Sequence, residues 1–333
     1  MRPPAFWDAS HRHPVARVLA PVGALYGRLT AARMDRRGAT GPCLILCVGN
    51  LTLGGAGKTP TALALAGMLR DLGAEPGFLT RGYGGSLAGP VLVDATRHDA
   101  SQVGDEPLLL ARTATTVVAR DRPAGAQLCA EAGAIVVVMD DGLQNPSLVK
   151  DLSLAVVDAG AGIGNGLPFP AGPLRVPLER QWRHLDALVL VGEGEAGERV
   201  AVLARDRGLP VFRALLLPDL AGRGFAGRKV LAFAGIGRPA KFFATLRDAG
   251  ADVVAERSFP DHHPYREAEL ASLAAEAKRL GAGLMTTQKD LVRLPAAFVG
   301  RVEALAVSLA FEDERGVVSL LRRLIDGGFR SGR

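Results

Sequence analysis

An apolar strand-like run, a glycine-rich turn and a helical run follow one another over residues 43–69, and this order constrains the chain more than any other feature. Cys43, Leu44, Ile45, Leu46, Cys47 and Val48 form an unbroken apolar run of the kind a parallel sheet buries on both faces. Gly49, Asn50, Leu51, Thr52, Leu53, Gly54, Gly55, Ala56, Gly57, Lys58, Thr59 and Pro60 come next, and residues 61–69 read as a helix. Strand, glycine-rich turn ending in Gly-Lys-Thr, then helix is the setting of a phosphate-binding loop. Backbone N–H groups and the helix N-terminus face the anion, the lysine reaches the β/γ-phosphates and the threonine hydroxyl binds Mg²⁺. Residues 52–59, ending in Lys58 and Thr59, are therefore expected to hold a nucleoside triphosphate. The usual first glycine, five residues before Gly57, is Thr52 here. A purely structural glycine turn is the competing reading.

With 333 residues there is room for two domains with real cores. Hydrophobic content of 48% against 22% charged residues places the chain among globular proteins. Cys43, Cys47 and Cys129 form an odd set without a Cys-x-x-Cys pair, which suits buried thiols in a reducing compartment. The net charge of +6 is concentrated at the N-terminus: Arg2, Arg12, Arg17, Arg28, Arg33, Arg36 and Arg37 face only Asp8 and Asp35 within residues 1–40. No basic face remains elsewhere to suggest nucleic acid, and no obligate protein partner is indicated.

The basic arm carries a helical stripe of Val15, Val18, Leu19, Val22, Leu25, Tyr26 and Leu29. Its longest apolar run, residues 18–27, falls short of the ~20 residues that span a bilayer, and no small-residue cleavage site follows it, which argues against a signal peptide. Two readings stand: an amphipathic helix docked on the protein's own core, or one lying in a membrane interface with its arginines toward anionic headgroups. Pro21 would kink it.

Beyond the loop the chain alternates strands and helices. Strand signals lie at residues 76–80, 116–119, 134–139, 154–158 and 187–191, and a helix is expected after Gly104, Asp105, Glu106 and Pro107. This is the pattern of an α/β, doubly wound parallel sheet with its site at the strand C-termini. A linker is expected over 217–227, then a smaller α/β series with strands at 230–234, 251–255, 283–287 and 305–309. The expected division is an arm at 1–40, a nucleotide-binding domain at 41–216 and a smaller domain at 228–333.

Asp140 and Asp141 end an apolar strand, the arrangement in which a carboxylate holds Mg²⁺. Because successive strand residues face opposite ways, the two acids are expected to differ in role. Asp105 with Glu106, and Asp261 with His262 and His263, are candidates for general-base chemistry. On spacing alone the favoured readings are Asp105 as a helix-start acid and His262 as a loop residue, and nothing in the sequence brings the two together.

These motifs occur in a set order. Gly49 to Thr52 and Gly54 to Pro60 precede Arg81-Gly82-Tyr83-Gly84-Gly85, then Gly104-Asp105-Glu106-Pro107, then Asp140-Asp141-Gly142-Leu143-Gln144. Leu167-Pro168, Ala171 to Arg175, Ala234 to Gly237, Asp261-His262, Thr286-Thr287 and Lys289-Asp290 complete the series. The ordered set resembles the tetraacyldisaccharide 4'-kinases, the lipid A 4'-kinases of Gram-negative bacteria.

The resemblance implies a P-loop kinase that moves the γ-phosphoryl of ATP, with Mg²⁺, to the 4'-hydroxyl of a tetraacylated glucosamine disaccharide 1-phosphate. It implies an acceptor embedded in the cytoplasmic face of the inner membrane, and it turns the reading of the arm toward a membrane-interface helix. Carried over by motif, Asp105 is the expected base with His262 supporting it, and Lys58 stabilises charge on the transferring group. Thr59 with Asp140 or Asp141 is the expected metal site, and Asn50, Arg81, Gly82, Tyr83 and Gln144 are the expected acceptor contacts. Val176, Asn145 and Gln288 depart from the family pattern, where glutamate, histidine and glutamate are usual. The alternatives are a P-loop ATPase or GTPase for metallocentre assembly or protein targeting, and a membrane-associated nucleotide sensor.

Overall fold

Alternation along the first strand decides how the core is built. In β1 (Leu44–Asn50), Ile45 and Cys47 point to one face, Leu46 and Val48 to the other, and all four are buried. A strand buried on both sides needs helices on both sides, and the computed structural model has them. It describes residues 4–8, 12–219 and 224–327. Arg2 of the basic arm, residues 220–223 of the expected linker and residues 328–333 of the expected C-terminal domain lie outside the described residues.

The helix α1 (Pro14–Met34) precedes β1, and α2 (Lys58–Asp71) and β2 (Pro76–Thr80) follow it. Then come β3 (Val91–Leu92), α3 (Ala100–Val103), α4 (Asp105–Leu110), β4 (Thr115–Val118), α5 (Arg122–Glu131) and β5 (Val136–Asp140). β6 (Leu152–Asp158), α6 (Leu178–Trp182), β7 (Ala187–Val191), α7 (Glu195–Arg205) and β8 (Val211–Pro218) complete the first series. The second comprises β9 (Lys229–Ala234), α8 (Pro239–Asp248), β10 (Asp252–Ser258), α9 (Glu267–Leu280), β11 (Gly283–Thr287), α10 (Gln288–Leu291), α11 (Ala296–Val299) and β12 (Glu303–Leu305). β13 (Val307–Phe311) and α12 (Glu314–Ile325) end the chain.

A nine-stranded sheet has the order β13-β8-β7-β6-β1-β5-β2-β4-β3. Its strands are parallel except at the rims, where β13 runs antiparallel to β8 and β3 to β4. Ala126 and Cys129 of α5, Trp182 of α6 and Val200, Ala201 and Ala204 of α7 cover one face. Ala62, Leu65, Ala66 and Leu69 of α2, Leu110 of α4, and Val317, Leu320, Leu321 and Leu324 of α12 cover the other. β1 lies between β5 and β6, so the connections diverge on either side of its C-terminal end and leave a crevice there. The three cysteines are buried and unbridged.

A smaller parallel sheet, β10-β9-β11-β12, is covered by Phe242, Phe243 and Leu246 of α8 on one face. Leu270, Leu273 and Ala277 of α9 with Phe298 of α11 cover the other. One expectation needs correcting. Residues 305–309 are not a single strand of the small sheet: the chain leaves that sheet at Leu305 and crosses to the large one at Val307. The crossing strand β13 lies beside β8, the strand by which the chain left, with Pro218 opposite Val307. An apolar alternating run fits either sheet, and only the partner across the ladder chooses.

Most of the apolar stripe of α1 does not pack on the protein, the exception being the Tyr26 ring, 5.5 Å from that of Phe169. Val15, Val18, Val22, Leu25, Tyr26 and Leu29 are exposed and Leu19 is half-buried. The helix docks by its small residues, with Ala16, Gly23, Gly27, Ala31 and Met34 buried. A Cβ on Gly23 would lie 2.8 Å from the Pro168 carbonyl oxygen, and one on Gly27 3.0 Å from Pro177 Cγ. The arm thus sits on the segment that leads to Arg175.

Candidate active site

The turn after β1 is held open from beneath. Asn50, fully buried, donates from Nδ2 to the Gly54 carbonyl at 3.0 Å. Leu53 N–H donates to Pro173 O at 2.8 Å, and Thr52 bridges Leu174 in extended pairing, where a threonine serves as well as a glycine. The glycines matter further along: Gly54 and Gly57 have φ of +110° and +93°, values open mainly to glycine. A Cβ built on Gly54 or Gly55 meets no protein atom within 4 Å, so the concave side of the turn faces open space. Lys58 and Thr59 then begin α2, whose N-terminus points its dipole into that space.

The two acids at the end of β5 have different surroundings. Asp140, paired in register with Val48, is 1% exposed, and neither carboxylate oxygen has a hydrogen-bond partner. Burial pushes its pKa up, the charge of Glu106 adds to this, and Lys58 opposes it. Asp141, with a left-handed φ of +54°, instead faces cations: Arg175 Nη1 at 3.0 Å and Nη2 at 3.1 Å, and Lys58 Nζ at 3.8 Å. Burial would raise its pKa, but Lys58 and Arg175 outweigh burial and hold it below the usual range. Arg175 Nε also donates to Thr52 O at 3.1 Å, joining Asp141 to the turn. A Mg²⁺ ion fits this donor set. The unpartnered buried carboxylate of Asp140 calls for a cation, and Thr59 adds a hydroxyl. Among the described residues no group of three or more His, Cys, Asp or Glu converges on one point. That suits an ion held by few protein oxygens and otherwise by water and phosphate.

The tertiary structure brings Asp105 and His262 together across the two sheets. His262 Nδ1 lies 3.1 Å from Asp105 Oδ2. Asp105 begins α4 and is 3% exposed; His262 is half-buried, in the loop after β10, with φ of +58°. Its own N–H donates to Gly235 O at 3.0 Å, which braces that conformation. The hydrogen bond to Asp105 raises the His262 pKa against the effect of burial. For Asp105, burial acts upward, but His262, Arg293 and Lys289 together hold the carboxyl below its ordinary value. Glu106, next along α4, pairs with Lys289. Glu106 and Lys289 both act electrostatically on Asp140, and α4, which Asp105 begins, shares a core with α2, the helix that follows the phosphate turn.

A profile of the tetraacyldisaccharide-1-P 4'-kinase family matches residues 15–326. The chain belongs to that family. It is 68% identical over 317 residues to the tetraacyldisaccharide 4'-kinase of Methylorubrum populi, spanning 95% of this chain and 97% of the relative. To that of Rhodopseudomonas palustris strain BisB5 it is 56% identical over 320 residues, 94% of each chain. A solved "apo" form of LpxK from Aquifex aeolicus in complex with ATP superposes with a TM-score of 0.73 at 27% identity, covering 93% of this chain and 99% of that one.

The acceptor contacts expected from the 4'-kinase pattern are placed unevenly. Arg81 and Tyr83 are exposed, and the Tyr83 ring lies 5.5 Å from that of His262. Gly82 is buried, with no room for a side chain: a Cβ would lie 2.6 Å from Val118 Cγ1. Asn50 sits under the phosphate turn, so in this structure it braces the loop. Gln144 does likewise, donating from Nε2 to Asn50 O at 2.8 Å and to Gln181 Oε1 at 3.0 Å.

The departures from the family pattern also have local accounts. Val176 is buried in the apolar core, where a glutamate would need a partner. Asn145 accepts from Ser147 N–H at 2.9 Å and closes a turn. Gln288 opens α10.

Sequence reasoning gave no role to Arg122, Arg175, Gln181, Lys289 or Arg293. Arg122 is 2% exposed; burial lowers its pKa, while Asp141 and Asp140 favour its charge. Of these, Arg175 and Lys289 carried a signal, as members of the ordered motif series.

Proposed function

We propose that this chain transfers the γ-phosphoryl of ATP to the 4'-hydroxyl of tetraacyldisaccharide 1-phosphate, with His262 as the base. The observation that carries the reading is the meeting of Asp105 and His262 beside a phosphate-binding turn. The family resemblance implied Asp105 as base; the surroundings favour the reverse. A carboxylate buried against His262, Arg293 and Lys289 is a weak base, whereas an imidazole with a raised pKa is a better one at neutral pH. With Nδ1–H donated to Asp105, the lone pair of Nε2 remains to accept the acceptor's proton. Asp105 holds the tautomer and stabilises the imidazolium that forms.

Phosphoryl transfer depends mainly on in-line positioning and charge stabilisation. The N-terminus of α2 and Lys58 meet the negative charge of the transferring group, and Arg175 shares the charge of Asp141 with that lysine. Mg²⁺, held by Thr59 and Asp140, would neutralise charge on the β- and γ-oxygens when bound. Contacts across the two sheets, from His262, Lys289 and Arg293 to α4, hold the base against the helix that carries Asp105.

The acceptor is a lipid, and the exposed stripe of α1 suits an interface helix on the cytoplasmic face of the inner membrane. Among the described residues no helix is long and apolar enough to cross a membrane. Flanking arginines favour anionic headgroups. The reading as an ATPase or GTPase for metallocentre assembly or targeting gives no role to the dyad. The deciding experiment follows radiolabel from γ-labelled ATP to purified tetraacyldisaccharide 1-phosphate in mixed micelles with Mg²⁺, using Lys58→Ala as control. A labelled, more polar lipid made by the wild type alone is the expected result. ATP hydrolysis without labelled lipid would overturn the proposal.

A further inference from the structure

The guanidinium of Arg293 lies where four segments meet. It follows α10, and its side chain is 6% exposed. Nε stands 3.2 Å from Asp105 Oδ2 and donates to Lys289 O at 3.1 Å. Nη1 donates to Gly235 O at 3.1 Å and to His263 O at 3.4 Å, and Nη2 lies 3.3 Å from Asp290 Oδ1. Asp290 is itself fixed, accepting from Gly235 N–H at 3.0 Å, the Tyr265 hydroxyl at 2.8 Å and the Thr287 hydroxyl at 2.6 Å. The Gly235 carbonyl that Arg293 holds is also the one that accepts from His262 N–H. One side chain therefore touches Asp105 directly and reaches His262 through the backbone that sets its left-handed turn.

We propose that Arg293 is a positioning residue for the Asp105–His262 pair, setting both the geometry of the base and the charge state of its partner. The inference rests on the reading of His262 as the base. A planar fork with several donors can meet two carbonyls and a carboxylate at once; an ammonium on a flexible stem cannot. Its charge favours the Asp105 anion, which keeps the Nδ1 proton on His262 and Nε2 ready to accept. Asp105 is faced by His262 from the loop after β10, by Arg293 and by Lys289 of α10. His262 is faced by Asp105 of α4, by Asp261 of its own loop, by Arg293 and by the ring of Tyr83. With the arginine gone, the pair binds its shared proton more tightly, so activity is lost at a higher pH on the acid side.

The experiment compares Arg293→Gln, Arg293→Lys and His262→Asn with wild type. It measures kcat, the KM for ATP and the pH profile of kcat in mixed micelles, with melting curves for each protein. Arg293→Gln is expected to lose about tenfold or more in kcat, as a displaced catalytic group does. Its KM for ATP should stay near wild type, and its acid limb should move to higher pH. Arg293→Lys, which keeps the charge but not the fork, should lose kcat with the acid limb in place. A folded Arg293→Gln with wild-type kcat and an unmoved acid limb would overturn the inference. If Arg293→Gln does not fold, Arg293→Lys decides: wild-type kcat rejects the fork, and reduced kcat with an unmoved limb supports it. If His262→Asn keeps wild-type kcat and limb, the reading of the base itself fails. If His262→Asn loses turnover while Arg293→Gln matches wild type, only the role of Arg293 fails.

Discussion

Replacing Leu25 and Leu29 by glutamine separates the two readings of α1. The side chains are 61% and 65% exposed, so most of their apolar surface touches none of the protein's own core. Full burial of a leucine side chain is worth about 1.5–3 kcal/mol. Scaled by these exposures, and halved for a helix only partly sunk in the headgroup region, each contributes about 0.7 kcal/mol to membrane binding. Together they are worth on the order of 1.4 kcal/mol, or about tenfold in partitioning. The assay is co-sedimentation with vesicles containing anionic phospholipid, beside melting curves and the KM for acceptor in micelles. The expected result is about tenfold weaker vesicle binding and a raised acceptor KM, with a melting temperature close to wild type. Unchanged vesicle binding would refute the interface role. A large fall in melting temperature would show that the stripe packs on the protein.

Other substitutions test the site and the packing. Asp105→Asn removes the carboxylate that raises the His262 pKa, so kcat should fall about 10²–10⁴-fold and the acid limb of its pH profile should move down; an unmoved limb would count against the coupling. The same variant has a stability signature. His262 contributes fully below its ordinary 6.5 and loses that contribution as pH rises through its raised folded value, while Asp105 contributes above its ordinary 3.8. The melting difference from wild type should thus be widest between those two values and narrow at higher pH. Asp140→Asn should raise the Mg²⁺ concentration needed for half-maximal rate, whereas Arg175→Met should act chiefly on ATP KM; equal effects of both on Mg²⁺ would reject the division of roles. Gly23→Val places a side chain against the Pro168 carbonyl and should cost about 1–3 kcal/mol of stability, read as faster proteolysis of the arm.

Much of the architecture could be read from local pattern. The unbroken apolar runs ending at Val48 and Met139 required a sheet buried on both faces, and glycines 54 and 57 with Lys58 and Thr59 required an anion at its edge. The strand at 305–309 misled because an alternating run is equally at home in either sheet. Val211–Pro218 was not singled out as a strand, because its inward and outward residues differ little in polarity. The arm's stripe was legible as a helix face, but not its direction. Gly23, Gly27 and Ala31 offered the closer approach to Pro168 and Pro177, so the large apolar side chains were left outward.

The chain's own order of residues determined that a triphosphate turn would stand at the end of a buried strand, because its φ values and its lysine are local requirements. It also supplied Asp105 and His262 as candidates. Only the tertiary structure decided that these two residues, 157 positions apart, would touch, and that Arg293 and Lys289 would hold the carboxylate in its charged form. A pKa depends on burial and on neighbouring charge, and neither exists until α4 and the loop after β10 are packed against each other. The proposed choice of His262 over Asp105 as base rests on that packing.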